Sequence, residues 1–246
     1  MAIQSHLLVN LKAATWSAYQ GTSAILREAG VRHEFADIPR SKLIASKIPH
    51  HVKQIHSDII LEADAKTAWD QEQRPEGDGI FTTTPGTRVA VKTADCLPVL
   101  IAARNGTFAC AIHAGWRGLT SGILPRAIEL ASGFDRRDQL MVAIGPAISR
   151  EQFEVGDDVI EGIFSDSASL SPESRMLCIA KGRGDRWHVD LPLAAACQAL
   201  GHGIDSRNLE IIQSCTRTAK SDGQWIHNSY RRDGKGCGSN WSWISL

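Results

Sequence analysis

The chain has 246 residues, 43% hydrophobic and 22% charged, with 27 Lys plus Arg against 27 Asp plus Glu. That length and composition suit one globular domain with a large core. The formal net charge of zero lacks the basic excess of a nucleic-acid binder.

Along the chain, Met1–Tyr19 has no basic stretch followed by an apolar core, so no signal peptide is expected. Thr15–Ala29 has the spacing of an amphipathic helix. Ile59–Ala63 and Gly79–Thr83 read as short strands, Arg88–Lys92 alternates as one, and Pro98–Ala103 is an apolar run of strand length. Thr107–Ala114 is a further strand, entered through an Asn105-Gly106 turn. Gly115–Gly118 breaks the pattern, and Ile123–Ser132 is a helix with Pro125 in its first turn. Gln139–Ile144 is a strand stopped by Gly145-Pro146, and Asp157–Phe164 a helix. Ser165–Ser174 reads as an exposed Ser-rich loop. Asp190 caps a helix over Leu191–Leu200, Leu209–Ser214 is a strand, and Trp225–Tyr230 is expected to be the last. Interspersed strands and helices predict an α/β (α+β) fold of mixed sheets covered by helices, in a single domain over 1–246. The longest apolar runs, Val99–Ala103 and Leu193–Cys197, are too short to span a bilayer, so a cytoplasmic protein with no membrane partner is expected.

Six cysteines in a reducing compartment are expected as free thiols, most of them buried. Three segments are chemically unusual: Lys53-Gln54-Ile55-His56-Ser57, Thr93-Ala94-Asp95-Cys96-Leu97-Pro98, and Ile112-His113-Ala114-Gly115-Trp116-Arg117-Gly118. Cys96 and His113 fall where an apolar strand meets a Pro- or Gly-marked turn, the place from which a rigid scaffold presents reactive groups. Two imidazoles and a thiolate suit Zn²⁺, and three protein ligands leave a fourth position for water or substrate. The spacing carries no Cys-x-x-Cys, His-Glu-x-x-His or His-x-His, so spacing alone leaves open a buried Cys, a core His and an exposed His.

Six motifs in order, Val91–Leu100, Ala111–Leu119, Ile144–Ile148, Phe153–Gly156, His188–Leu191 and Ser229–Gly234, resemble the YfiH family. That family is also called multicopper polyphenol oxidoreductase (laccase domain) or peptidoglycan editing factor. The likeness runs from about Gly30 to the C-terminus. It implies mixed sheets sandwiched by helices and a metal held by His56, Cys96 and His113. It also implies zinc-dependent action on purine nucleosides: phosphorolysis of adenosine, inosine, guanosine and methylthioadenosine, and hydrolytic deamination of adenosine. The pattern departs before His56, where Gly30–Arg40 stands for a longer upstream segment. It departs again at Phe153, where Tyr is common, and at Gly236-Cys237-Gly238, where Gly-Arg is expected.

Around the expected metal, Asp95 is a candidate to orient a ligand or move protons, or else a solvated strand-end carboxylate. Arg117, in a Gly-flanked turn before a helix, is a candidate to hold phosphate, or else a structural Arg paired with a carboxylate. Arg40, Lys92 and Arg231 are expected to bind substrate, with surface ion pairing as the ordinary alternative for Arg231 and Arg232. His50 and His51 read as exposed loop residues. The partners are then nucleosides and phosphate, for a monomer or weak homo-oligomer. Three other functions fit parts of the pattern. Two His and one Cys also form a blue-copper set, although the nine scattered His lack a further cluster for a multicopper oxidase. Cys96 with His113 or His56 would make a metal-free cysteine hydrolase. A cell-wall quality-control role needs no turnover of nucleosides at all.

Overall fold

Leu97–Ala103 is apolar throughout because both faces of its strand are buried. Val99 and Ile101 point into one core, Leu100 and Ala102 into another. In the computed structural model, which describes residues 2–45, 49–64, 74–165 and 169–246, this strand is the centre of a seven-stranded mixed sheet. From edge to edge the order is Thr15–Ala18, Leu209–Gln213, Leu140–Ile144, Leu97–Ala103, Ala109–Ala114, Gly79–Thr82 and Ile60–Glu62. The first three run parallel to one another, the next three pair antiparallel, and the last edge is parallel again.

Helices cover one face. Ile123–Ala131 buries Ile123, Leu124, Ala127, Ile128 and Ala131, the single stripe expected at 3.6 residues per turn. Leu191–Gly201 starts at Asp190, whose side chain accepts the Leu193 N–H at 2.9 Å, with Pro192 tolerated in the first turn. The other face carries a three-stranded antiparallel sheet in the order Arg32–Phe35, Asn240–Ser245, Arg88–Thr93. Phe35, Val89, Val91 and Ile244 fill the space between the two sheets. The expected mixed sheets and helical cover are therefore present, and a second sheet forms the third layer.

Four expectations differ. Thr15–Ala29 is not one helix: Thr15–Ala18 is an edge strand, Gly21 turns at φ 82°, and a short helix follows over Ala24–Glu28. The cause is a buried partner distant in sequence. Glu210 accepts the hydroxyls of Ser17 (2.5 Å) and Ser23 (2.6 Å), which holds the first strand against Leu209–Gln213. Trp225–Tyr230 is not the last strand either. Gln224–Trp225 closes a small hairpin with Lys220–Ser221, Ser229 caps a helical turn over Tyr230–Asp233, and Asn240–Ser245 ends the chain's strands. The Ser-rich stretch turns helical at Pro172–Cys178 under the Ser171 cap, while 166–168 lie outside the described residues. His51 is buried rather than exposed, its Nδ1 2.9 Å from the Pro49 carbonyl.

Burial pushes the His51 and His227 imidazoles down to about 4. An unfolded chain titrates these groups near 6.5, so it binds more protons than the native state between about pH 6.5 and 4. Stability should therefore be full above that window and fall as pH drops through it, each group costing up to about 1.4 kcal/mol per pH unit. Urea midpoints measured from pH 7 to pH 4.5 should decline. A flat profile that stays flat in His227→Gln would mean that these imidazoles do not fold neutral.

Candidate metal centre and its cavity

The turn Ala94–Cys96 crosses from one sheet to the other, from Arg88–Thr93 into Leu97–Ala103. It reverses at Asp95, whose φ of 89° is a left-handed conformation that Asp tolerates better than most residues. Asp95 is buried. Its Oδ1 accepts the Thr216 hydroxyl at 2.6 Å and its Oδ2 accepts the Arg231 N–H at 2.6 Å. The carboxylate is thus buried and hydrogen-bonded, not a solvated strand-end group. It pins two C-terminal segments beside Cys96.

His113 lies near the end of Ala109–Ala114, paired in register with Pro98. Its Nδ1 meets Oδ1 of Asp78 at 2.7 Å. Asp78 is fully buried, and its other oxygen accepts three bonds from the His56 loop: Ile55 N–H at 3.1 Å, Ser57 N–H at 2.6 Å and Ser57 Oγ–H at 2.8 Å. Gln54 ties the same loop to the small sheet, donating to the Lys92 carbonyl at 2.7 Å and accepting the Lys92 N–H at 2.8 Å. His56 itself sits at φ 64°, a strained position that these bonds hold in place.

One donor atom from each of His56, Cys96 and His113 lies within 4.8 Å of the others. The two imidazoles meet edge to face, with centroids 4.8 Å apart. Gly115 leaves room for them: a Cβ there would stand 3.0 Å from Cys96 Sγ and 3.1 Å from His56 Cδ2. Burial opposes charge on Asp78, yet hydrogen bonds from His113 and Ser57 outweigh it and hold the carboxyl well below the usual range. Burial opposes charge on Cys96 as well, but bonds with His113 and His56 bring its thiol down to about 7. His113 is desolvated too, and Asp78 and Cys96 carry it up to about 9. With Nδ1–H given to Asp78, Nε2 of His113 is the nitrogen left to donate to a metal, an orientation a carboxylate commonly enforces on a ligating His. A sulfur and two imidazole nitrogens on one side of a cavity fit zinc, and also copper.

The cavity above them holds about 380 Å³, enough for a small-molecule ligand. Lys92 and Arg231 supply its cationic walls, and Phe153 and Tyr230 its aromatic ones. Arg231 is braced by the Glu154 carbonyl at 3.1 Å and lies 5.3 Å from the Phe153 ring centre. Of the expected site residues, His56, Cys96, His113, Asp95, Lys92 and Arg231 come together here. Arg117 does not line the cavity. It rides the helix Trp116–Thr120, exposed, with its guanidinium 4.3 Å from its neighbour's indole. Arg40 does not line it either and pairs with Glu34 at 3.5 Å and Asp37 at 3.7 Å. Asp78, Gln54 and Tyr230 were not expected. A carboxylate pressed between Gly77 and the apolar strand Gly79–Thr82 was the available sign for Asp78.

Comparison with known proteins gives a consistent result. A family model described as multi-copper polyphenol oxidoreductase laccase matches residues 20–246. Purine nucleoside phosphorylase of Deinococcus radiodurans is 33% identical over 196 residues, 79% of this chain and 69% of that protein. Purine nucleoside phosphorylase YfiH of Escherichia coli is 37% identical over 187 residues, 75% of this chain and 69% of its own. Among solved structures, a Neisseria meningitidis protein superposes with a TM-score of 0.70 at 31% identity, covering 84% of this chain and 79% of that one. YlmD of Geobacillus stearothermophilus gives 0.72 at 27% identity, covering 84% and 78%.

Asp78→Asn keeps the size of the side chain and removes its charge from the His113 pair. Metal affinity should fall about 10- to 100-fold, as when other partners of ligating histidines are removed. Competition with a chromogenic chelator reads this directly. Unchanged affinity would reduce Asp78 to a loop brace.

Proposed function

The chain belongs to the multi-copper polyphenol oxidoreductase laccase family, and we propose that it is a metal-dependent purine nucleoside phosphorylase acting in the cavity above His56, Cys96 and His113. The observation that carries the reading is the shared wall: three metal-type donors and two cations face one space of nucleoside size. Relatives named purine nucleoside phosphorylase support it. Adenosine, inosine, guanosine and methylthioadenosine are the proposed substrates, and hydrolytic deamination of adenosine a second activity of the same cavity.

In phosphorolysis a phosphate oxygen bonds to the ribose C1′ while the C1′–N9 bond breaks. Its electron pair leaves with the purine, which takes up a proton. Arg231 suits the phosphate, because its fork is already oriented by the Glu154 carbonyl and retains donors for an anion. Lys92 adds a second cation from the small sheet. Asp95 acts through position, since it fixes the Arg231 backbone beside Cys96. Phe153 and Tyr230 offer aromatic surface for the base. A zinc ion held by His56, Cys96 and His113 would supply Lewis acidity at this wall. Copper remains a second candidate for the same donors.

One observation favours a second reading. Without a metal, the Cys96 thiol beside a His113 imidazole that is itself held by Asp78 has the arrangement of a nucleophile, a base and an orienting group, the ingredients of cysteine hydrolysis. A bound metal would occupy that thiolate, so the two readings exclude each other in one molecule.

Arg231→Ala should raise the phosphate KM about 10- to 100-fold, the loss of one or two charge-assisted hydrogen bonds, with metal content unchanged. Arg117→Ala should leave the phosphate KM where it was. The reverse pattern in steady-state phosphorolysis of inosine would return the phosphate to Arg117.

A further inference from the structure

Beside the metal-bearing cavity lies a second one of about 330 Å³, and Lys92 and Ser239 form a wall common to both. Among the described residues its other lining is Ile38, Ser41, Lys42, Asn228, Gly238 and Trp241, with no carboxylate. Lys42 comes from the helix Ile38–Ala45 and Lys92 from the strand Arg88–Thr93, so two elements bring lysines to one space. Among the described residues neither is paired with a carboxylate, whereas nearby Arg40 has two such partners. Burial, and then the charge of Arg74, weaken the hold of Lys92 on its proton, an expense that a bound anion would offset.

The neutral walls also suit an anion. The Asn228 backbone is clamped to Asn240 through bonds of 2.8 and 2.9 Å, while its side-chain amide has no protein partner among the described residues. Gly238 makes space for that amide, because a Cβ there would lie 2.7 Å from Asn228 Oδ1. The Ser41 hydroxyl accepts the Trp241 backbone N–H at 3.0 Å and donates to the Ala36 carbonyl at 3.4 Å, which leaves the two lysines, the Asn228 amide and the Ser239 hydroxyl as donors. A phosphate ester, a dianion with several acceptor oxygens, matches that set.

We propose that this second cavity is an anion subsite that receives the 5′-phosphate of a nucleoside monophosphate whose ribose and base occupy the first cavity. The inference rests on the nucleoside reading of the first cavity and extends its substrate class to nucleotides. The shared Lys92 stands where the two parts of such a ligand would join.

The test is calorimetric titration of the metal-loaded full chain with inosine, inosine 5′-monophosphate and inorganic phosphate. Inosine is already deaminated, and in phosphate-free buffer it is not phosphorolysed. The monophosphate should bind about tenfold more tightly than inosine, the scale of one charge-assisted contact. Lys42→Gln, a change at an exposed helix position, should abolish that preference and leave inosine affinity unaltered. Inosine binding with no gain from the 5′-phosphate would overturn the subsite and leave the nucleoside reading intact. A gain that survives both Lys42→Gln and the Lys42→Gln/Lys92→Gln double variant would overturn it too, since the phosphate would then lie elsewhere. If inorganic phosphate alone binds through Lys42 while the monophosphate shows no preference over inosine, the second cavity takes free phosphate and the nucleotide proposal fails. Absence of any binding by inosine or its monophosphate would defeat the nucleoside reading and the proposal with it.

Discussion

The carboxylate of Asp78 holds the centre together. One oxygen meets His113 at 2.7 Å, and the other gathers the Ile55 and Ser57 donors that shape the His56 loop. Two ligand candidates from distant parts of the chain are thus referred to one buried group. A buried charge of this kind is costly unless it is hydrogen-bonded, and here four bonds reach it. The same bonds decide which nitrogen of His113 faces Cys96, so the loop's shape and the ligand's chemistry share one cause.

The layers of the fold make that arrangement possible. Ala109–Ala114 and Leu97–Ala103 are buried on both faces, so their ends are rigid and their side chains leave the sheet only where the strands stop. Cys96 occupies the turn that passes between the two sheets, and His113 the neighbouring strand end. Gly115 then matters through its missing side chain, since Cys96 and His56 come closer than ordinary van der Waals contact to where a Cβ would be. The C-terminal segments reach the same place through Asp95, which gives that carboxylate a positioning role although it adjoins a ligand candidate.

Much of this could be read from residue order, and the exceptions have physical reasons. The strands about Cys96 and His113 are legible because local apolar runs and turn residues mark them. Asp78 is not, because an acid before Gly79 resembles any turn residue until His113 is folded against it. Arg117, four residues beyond His113, is a plausible site cation by spacing alone, but the intervening helix turns it outward over Trp116. Arg231 is legible through the Ser229–Gly234 motif, while its route to the cavity, a capped turn more than a hundred residues after Cys96, is set by the fold. Thr15–Ala18 is extended for the same kind of reason, its partner Leu209–Gln213 lying at the other end of the chain. Local chemistry is visible in sequence, and the buried charges that join distant segments are not.

The most direct test is metal analysis paired with turnover. The full chain, purified without added metal, is assayed for bound zinc and copper and for phosphorolysis of inosine, in wild type and in Cys96→Ser. Near-stoichiometric zinc in the wild type, with metal and activity lost together in Cys96→Ser, is the expected result, because a serine hydroxyl stays protonated and binds zinc poorly. A Cys96→Ser protein that keeps its zinc and loses only activity, or a metal-free wild type that turns over at full rate, would contradict the shared metal centre.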